Sequence, residues 1–172
     1  MDRLNQEIVP GYLIRHARAE DMDRVGQIAR EAWVRIHDSL TEILGEELHD
    51  ILSANWEEIK EAGVRAHWER HPEWFHVVGP AETGEVIAFV SYTIDETRSM
   101  GKIGNNGVAP EVQGKGIGTA MYSYVLDLFR DAGLKYAMVG TGLDEGHAPA
   151  RRAYEKAGFD IAKKHVEYYV YL

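Results

Sequence analysis

The order of apolar and polar positions divides the chain into ten predicted elements. Tyr12-Leu13-Ile14-Arg15 reads as a short first strand. Asp21 is placed to cap a helix from about Met22 to His37. Within it Val25, Ile28, Ala29, Ala32, Trp33 and Ile36 recur at helical spacing and form one apolar stripe. A second helical region covers residues 41–70, with breaks expected near Gly45 and Gly63, and Pro72 ends it. Residues 75–78 and 86–94 read as two strands joined through the turn Glu82-Thr83-Gly84-Glu85, a hairpin. A third strand runs from about Lys102 to Ala109 and stops at Pro110. Ile117, Met121, Tyr124, Val125 and Leu128 trace one face of a helix that ends at Gly133. Tyr136 to Thr141 is an apolar strand. A helix from Ala148 to Ala157 follows, with Pro149 in its first turn and Gly158 past its end. The tail, His165 to Leu172, is rich in Tyr and Val and reads as a last strand. The order β-α-α-β-β-β-α-β-α-β predicts an α/β fold, a mixed sheet with flanking helices.

Length and composition narrow the classes. A chain of 172 residues fits one domain, 1–172. Apolar residues make up 45% and charged residues 27%, which excludes a disordered chain. The longest strongly apolar stretch, Val86 to Val90, falls far short of the ~20 residues that span a bilayer. The start, Met1 to Gln6, has no apolar core of a signal peptide, so a cytoplasmic location without a membrane partner is expected. The absence of cysteine excludes disulfides, Cys-ligated zinc, iron–sulfur clusters and a thiolate nucleophile.

The net charge of −9 is lopsided: residues 1–86 hold 18 acidic and 9 basic side chains, whereas residues 87–172 hold 10 of each. An acidic half disfavours a phosphate backbone, so no nucleic-acid partner is expected. It favours cationic ligands, or it is simply the solvated face of the helices.

Candidate chemistry concentrates in one stretch. Six of the 17 glycines fall between Gly101 and Gly118. The sequence Val108-Ala109-Pro110-Glu111-Val112-Gln113-Gly114-Lys115-Gly116-Ile117-Gly118-Thr119 follows a strand and opens an amphipathic helix. Glycines allow close backbone approach, and the first helical turn leaves N–H groups free at the positive end of the dipole. Such a turn suits a pyrophosphate. The P-loop pattern fails, because Lys-Ser/Thr is missing after the glycines. The dinucleotide pattern fails too, because the spacing is G-x-G-x-G.

Gln113-x-x-Gly116-x-Gly118, preceded by Val108-x-Pro110, resembles the coenzyme-binding turn of the GNAT superfamily of N-acetyltransferases. Ala150-Arg151-Arg152-Ala153-Tyr154-Glu155-Lys156-Ala157-Gly158-Phe159 resembles the second motif of the same family, about 35 residues on and in the right order. The resemblance covers about 103–159; residues 38–74 match nothing in it. It implies an α/β fold with a mixed, mostly antiparallel sheet, a splayed central strand pair and helices on both faces. It further implies that backbone N–H groups from Gln113 to Thr119 hold the pyrophosphate of acetyl coenzyme A (acetyl-CoA). The contacts implied are Gln113, Gly114, Lys115, Gly116, Ile117, Gly118 and Thr119, with Val108 and Ala109 at the strand end. The N–H near Val108 would bind the acetyl carbonyl and strengthen its hold as oxyanion charge develops. Asn105, Asn106 and Gly107 would shape the splay, and Lys115, Arg151 and Arg152 are either phosphate contacts or surface charges. Tyr154 would protonate the departing thiolate as general acid, or it packs as a buried tyrosine. His147 stands where many relatives carry Asn; with Ala150 it would contact the pantetheine arm, or His147 only caps the helix.

Other signals are weaker. Glu31, His37, Asp95 and Glu167 are alternatives for the base that deprotonates an amine. His67 and His71 lie one helical turn apart, but Trp68 occupies the Glu position of the zinc-protease motif and no metal is expected. Trp33, Trp56, Trp68 and Trp74 all fall in the first half, as core or as faces for a cation. The reading is an acetyltransferase that moves an acetyl group from acetyl-CoA to a primary amine by direct transfer in a ternary complex. A small cationic amine is the expected acceptor, with a protein N-terminus or lysine as alternative. An acyl-CoA sensor without turnover and a structural domain remain open. The last strand can pair with a second copy, giving a homodimer.

Overall fold

The computed structural model describes residues 5–172. Strands β1 (Gln6–Val9) and β2 (Tyr12–His16) open the chain, and helices α1 (Met22–Leu44), α2 (Glu46–Leu52) and α3 (Trp56–Arg70) follow. Next come β3 (Phe75–Pro80), β4 (Ala88–Asp95), β5 (Met100–Val108), α4 (Ile117–Asp131), β6 (Tyr136–Val139) and α5 (Ala148–Ala157). The six strands form one sheet in sequence order. Neighbours are antiparallel from β1 to β5, and β6 runs parallel to β5 because α4 crosses over between them. The mixed, mostly antiparallel sheet with helices is the architecture expected.

Period-two alternation divides the core into two layers. Phe75, Val77 and Phe89 face one way and pack with Val25, Ile28 and Ala29 of α1 and Val64 of α3. Val78, Ala88 and Val90 face the other way and pack with Ile117, Met121 and Val125 of α4. No helix among the described residues is long and apolar enough to cross a membrane.

Several expectations are corrected. β1 was not expected: Gln6-Glu7-Ile8-Val9 is short and half polar, and it forms by pairing with β2. α1 runs on to Leu44, since nothing before Gly45 breaks it. α3 passes through Gly63 unbroken. The cost of a helical glycine, roughly 1 kcal/mol, is offset by packing of the neighbouring Val64, which is fully buried. The expected last strand, His165 to Leu172, does not form; residues 159–172 pair with no strand, and 160–172 are exposed. Strand propensity is a fit to neighbours rather than a backbone preference, and this segment has no ladder partner.

Two irregularities of β5 position the site. Pairing with β6 ends at Ile103↔Val139, so Gly104 to Val108 keep β4 on one side and lose β6 on the other. This is the splayed strand pair. At the same level, register with β4 moves from Val90↔Asn106 to Tyr92↔Ile103, so β5 carries one extra residue opposite Ser91. The bulge is held by Ser91 Oγ, which donates to the Asn105 carbonyl at 3.1 Å. Asn105 thereby meets α3 while its neighbour Asn106 meets α4 and α5.

Candidate active site

A cavity of about 940 Å³ opens where β5 separates from β6. Its walls are α1, the free end of β5, the turn before α4 and the first turns of α5. Gly114 and Gly116 have φ of +79° and +82°, which only glycine adopts without strain, and they bend the chain sharply into α4. The first backbone hydrogen bond of the helix is Ala120 N–H to Gly116 O. The N–H groups of Gly114 to Thr119 therefore bond to nothing among the described residues. Six unpaired donors at a helix N-terminus, five of them on residues of the cavity wall, suit a polyanion.

The strand end supplies one more donor. Ala109 N–H donates to Ile87 O at 2.8 Å. Alternation along an antiparallel ladder then turns the Val108 N–H away from β4, into the gap left by β6. The Val108 carbonyl faces the same side and accepts from Gln113 Nε2 at 3.0 Å.

Across the gap stands Tyr154, buried on α5. Asn106 fixes it. The Asn106 Oδ1 accepts from Tyr122 OH at 2.7 Å, and Nδ2 donates to Gly104 O at 3.0 Å and to the Tyr154 oxygen at 3.1 Å. This set leaves only one orientation for the amide. Because the Tyr154 oxygen accepts, its own proton is left with a long contact, 3.4 Å back to Asn106 Oδ1, and the neighbouring Tyr122 hydroxyl. Burial raises the pKa of Tyr154, outweighing these hydrogen bonds, so the phenol stays protonated. Burial also raises Tyr122, well above its usual value.

His147 lines the cavity at the start of α5. Its Nδ1 lies 2.6 Å from Asp144 Oδ2, and its backbone N–H donates to Asp144 Oδ1 at 3.1 Å. Burial opposes ionisation of Asp144, but these bonds and the imidazole outweigh it and lower the carboxyl. The carboxylate claims Nδ1–H and leaves Nε2 for a ligand.

Most of the expected contacts come together. Val108, Gln113, Gly114, Gly116, Ile117, Gly118, Thr119, His147, Ala150 and Tyr154 line the cavity. Two do not. Ala109 is buried with its N–H spent on Ile87, and the exposed Lys115 side chain lies off the wall. Arg151 holds the carbonyls of Gly142 and Asp144 at 2.7 and 2.6 Å, while Arg152 lines the cavity.

The base alternatives scatter. Glu31 lines the cavity, bonded to Gln27 at 2.7 Å and near Arg24 at 3.5 Å. Asp95 caps a turn at the far end of β4, and Glu167 lies on the exposed tail. His37 stacks on Trp56 and shares a hydrogen bond with His49; burial, then the charges of His49 and Lys60, push it down to about 4. His67 and His71 face separate partners, Tyr92 O and the Trp74 ring.

The sequence reading missed the Tyr122–Asn106–Tyr154 chain and Lys60. Tyr122 lies off the apolar stripe it traced, and its only signal was a polar tip next to Met121 on α4. Lys60 gave no signal, because its partners, Trp33 and Asn105, are distant in sequence.

Coenzyme A fits this donor set: six free N–H groups for a pyrophosphate, an open strand edge for an amide-bearing arm, and a phenol at the far end. The fold has close counterparts among solved structures. The PaiA N-acetyltransferase from Thermoplasma acidophilum, in complex with coenzyme A, superposes with a TM-score of 0.69 at 18% identity over 90% of this chain and 92% of that one. The ribosomal-protein-S18-alanine N-acetyltransferase from Escherichia coli gives 0.63 at 17% identity, over 88% and 79%. A GNAT family acetyltransferase from Brucella melitensis, in complex with acetyl-CoA, gives 0.56 at 18% identity, over 87% and 83%. No curated protein matches the chain in sequence. The model of the acetyltransferase (GNAT) family matches residues 33–159, from the Trp33 wall of the cavity through Tyr154, and the chain belongs to that family.

Proposed function

We propose that this protein is an acetyltransferase that moves an acetyl group from acetyl-CoA to a primary amine by direct transfer in a ternary complex, within one domain spanning residues 1–172. The observation that carries the reading is the pairing of six free N–H groups at α4 with a proton-bearing Tyr154 across the split strands. When bound, acetyl-CoA supplies an activated thioester. The N–H groups of Gly114 to Thr119 hold the pyrophosphate. The Val108 N–H, facing the gap, binds the acetyl oxygen and stabilises the charge that develops on it. The amine nitrogen forms the C–N bond to the acetyl carbon. Tyr154, kept protonated by burial, donates its proton to the sulfur as the C–S bond breaks, and the proton that the amine loses restores the phenol. Asn106 orients that phenol through its amide.

The acceptor reading is a small cationic amine. It rests on Glu31 and Asp38, two carboxylates of α1 that line the cavity. The tryptophans add less than their positions in the sequence implied. The Trp33 ring already carries Lys60, Trp56 stacks on His37, and Trp74 stacks on His71. The exposed tail, with Tyr168 93% exposed, is the segment through which a homodimer would form.

A thermal melt with and without acetyl-CoA tests the donor. At 100 times Kd a ligand adds ~2.7 kcal/mol, a rise of roughly 5–10 °C for a domain of this size. A rise with acetyl-CoA and none with ATP or NAD is expected. No rise at millimolar acetyl-CoA would remove the proposal. Release of free thiol with an amine panel then separates an enzyme from a sensor that only binds.

A further inference from the structure

Of the seven lysines, six are exposed, Lys102 and Lys156 among them on the cavity wall, and one, Lys60 on α3, is half-buried directly behind that wall. Its Nζ lies 3.2 Å from the centroid of the Trp33 ring and donates to Asn105 Oδ1 at 2.8 Å. Both partners line the cavity, and Asn105 is the bulge residue beside Asn106, which holds Tyr154. No carboxylate among the described residues pairs with Lys60. A buried ammonium without a counter-ion is costly, whereas a neutral amine can still donate to Asn105 and keep its lone pair free.

We infer that Lys60 is an internal acetyl acceptor, a modification site acetylated by the thioester that the protein itself binds. The inference rests on the acetyl-CoA reading of the cavity. Burial pushes Lys60 down to about 7, so a large share is the unprotonated nucleophile at neutral pH. The stem has four rotatable bonds, and the amine is tethered to the splayed strand by one hydrogen bond. The lone pair of Nζ forms the C–N bond to the acetyl carbon and the C–S bond breaks. The amine loses one proton as it becomes an amide, and the thiolate leaves with one. A neutral amine and a thioester thus give an amide and a thiol with no net proton change. The product amide carries no charge over Trp33. The corner holds other titratable groups: Asp38 on α1, His49 on α2 and His147 at α5 act, together with Lys60, on the His37 imidazole of α1.

The test is mass spectrometry of the whole wild-type protein incubated with acetyl-CoA, with peptide mapping over time. A parallel melt with coenzyme A reports binding, and acetyl phosphate serves as a donor that needs no site. The expected result is one acetyl group on Lys60, saturable in acetyl-CoA, at least tenfold faster than on any exposed lysine and rising as pH passes through about 7. Lys60→Arg and Lys60→Gln lose that group and keep the coenzyme A shift. If the protein binds coenzyme A but Lys60 is modified no faster than Lys163 or Lys164, the inference is overturned and the acetyl-CoA reading stands. Equal selectivity for Lys60 with acetyl phosphate would also overturn it, since mere nucleophilicity would explain the result. If coenzyme A gives no shift, the acetyl-CoA reading fails and takes this inference with it.

Discussion

Asn106 ties two phenols of the cavity together through a single amide. It uses Oδ1 on Tyr122 and Nδ2 on Tyr154, and so decides which phenol has a proton to spare. Replacing Tyr154 by Phe keeps the ring and removes that proton. Turnover, read as free thiol, is expected to fall roughly a hundredfold or more, with the melting shift from acetyl-CoA unchanged. A change in that shift alone would assign Tyr154 to binding instead. A second residue-scale effect lies in the core. The rings of His16 and His76 lie 4.3 Å apart at a tilt of 34°, and neither Nδ1 has a partner among the described residues. Burial, then the charge of His16, holds His76 down at about 3. The unfolded chain, with an ordinary value near 6.5, binds the extra proton between these two values. The stability from neutral His76 is thus complete above about pH 6.5 and drains as pH falls toward 3. His76→Phe keeps a ring between Tyr92 and Tyr124 and is expected to flatten melting temperature against pH in that window. An unchanged slope would place the acid sensitivity elsewhere.

At the scale of elements, the junctions around α4 carry both fold and site. Gly116 caps α4 with φ +82°, and a side chain there costs ~1–2 kcal/mol. Gly116→Val is expected to lower the melting temperature by several degrees and to shrink the further rise with acetyl-CoA, because the N–H groups no longer converge. A full coenzyme response in that variant would detach the turn from binding. The other junction is steric. A Cβ on Gly101 of β5 would lie 2.5 Å from the Phe129 ring of α4. Gly101→Ala is expected to cost about 1–3 kcal/mol by overpacking, read as a lower urea midpoint at constant m-value. The glycines of this stretch thus divide by role: Gly101 lets a helix close on the sheet, and Gly114 and Gly116 aim a loop.

Across the whole molecule, what stands out is an imbalance at one edge. β6 is four residues long and has β5 on one side only, while the apolar tail beyond α5 is exposed. Tyr168, Val170 and Leu172 are more exposed than apolar residues of a finished surface. If two copies bury this segment between them, light scattering after gel filtration gives a dimer, and removing residues 163–172 gives a monomer that still responds to acetyl-CoA. A full-length monomer at all concentrations would exclude the homodimer.

Much of this was legible in the sequence because its physical cause is local. Helical periodicity placed α1 and α4, glycines and prolines marked their ends, and the turn from Gln113 to Thr119 announced an anion site by its own backbone needs. Ten of the twelve residues expected at the site do line one cavity. The tertiary structure decided what depends on distant partners. A one-residue bulge sends Asn105 to Lys60 on α3 and Asn106 to Tyr154 on α5, and no local pattern encodes that division. The same holds for the tail. Its Tyr and Val content favours a strand, but a strand exists only where it is paired, and among the described residues this segment pairs with none, not even the open edge of β6.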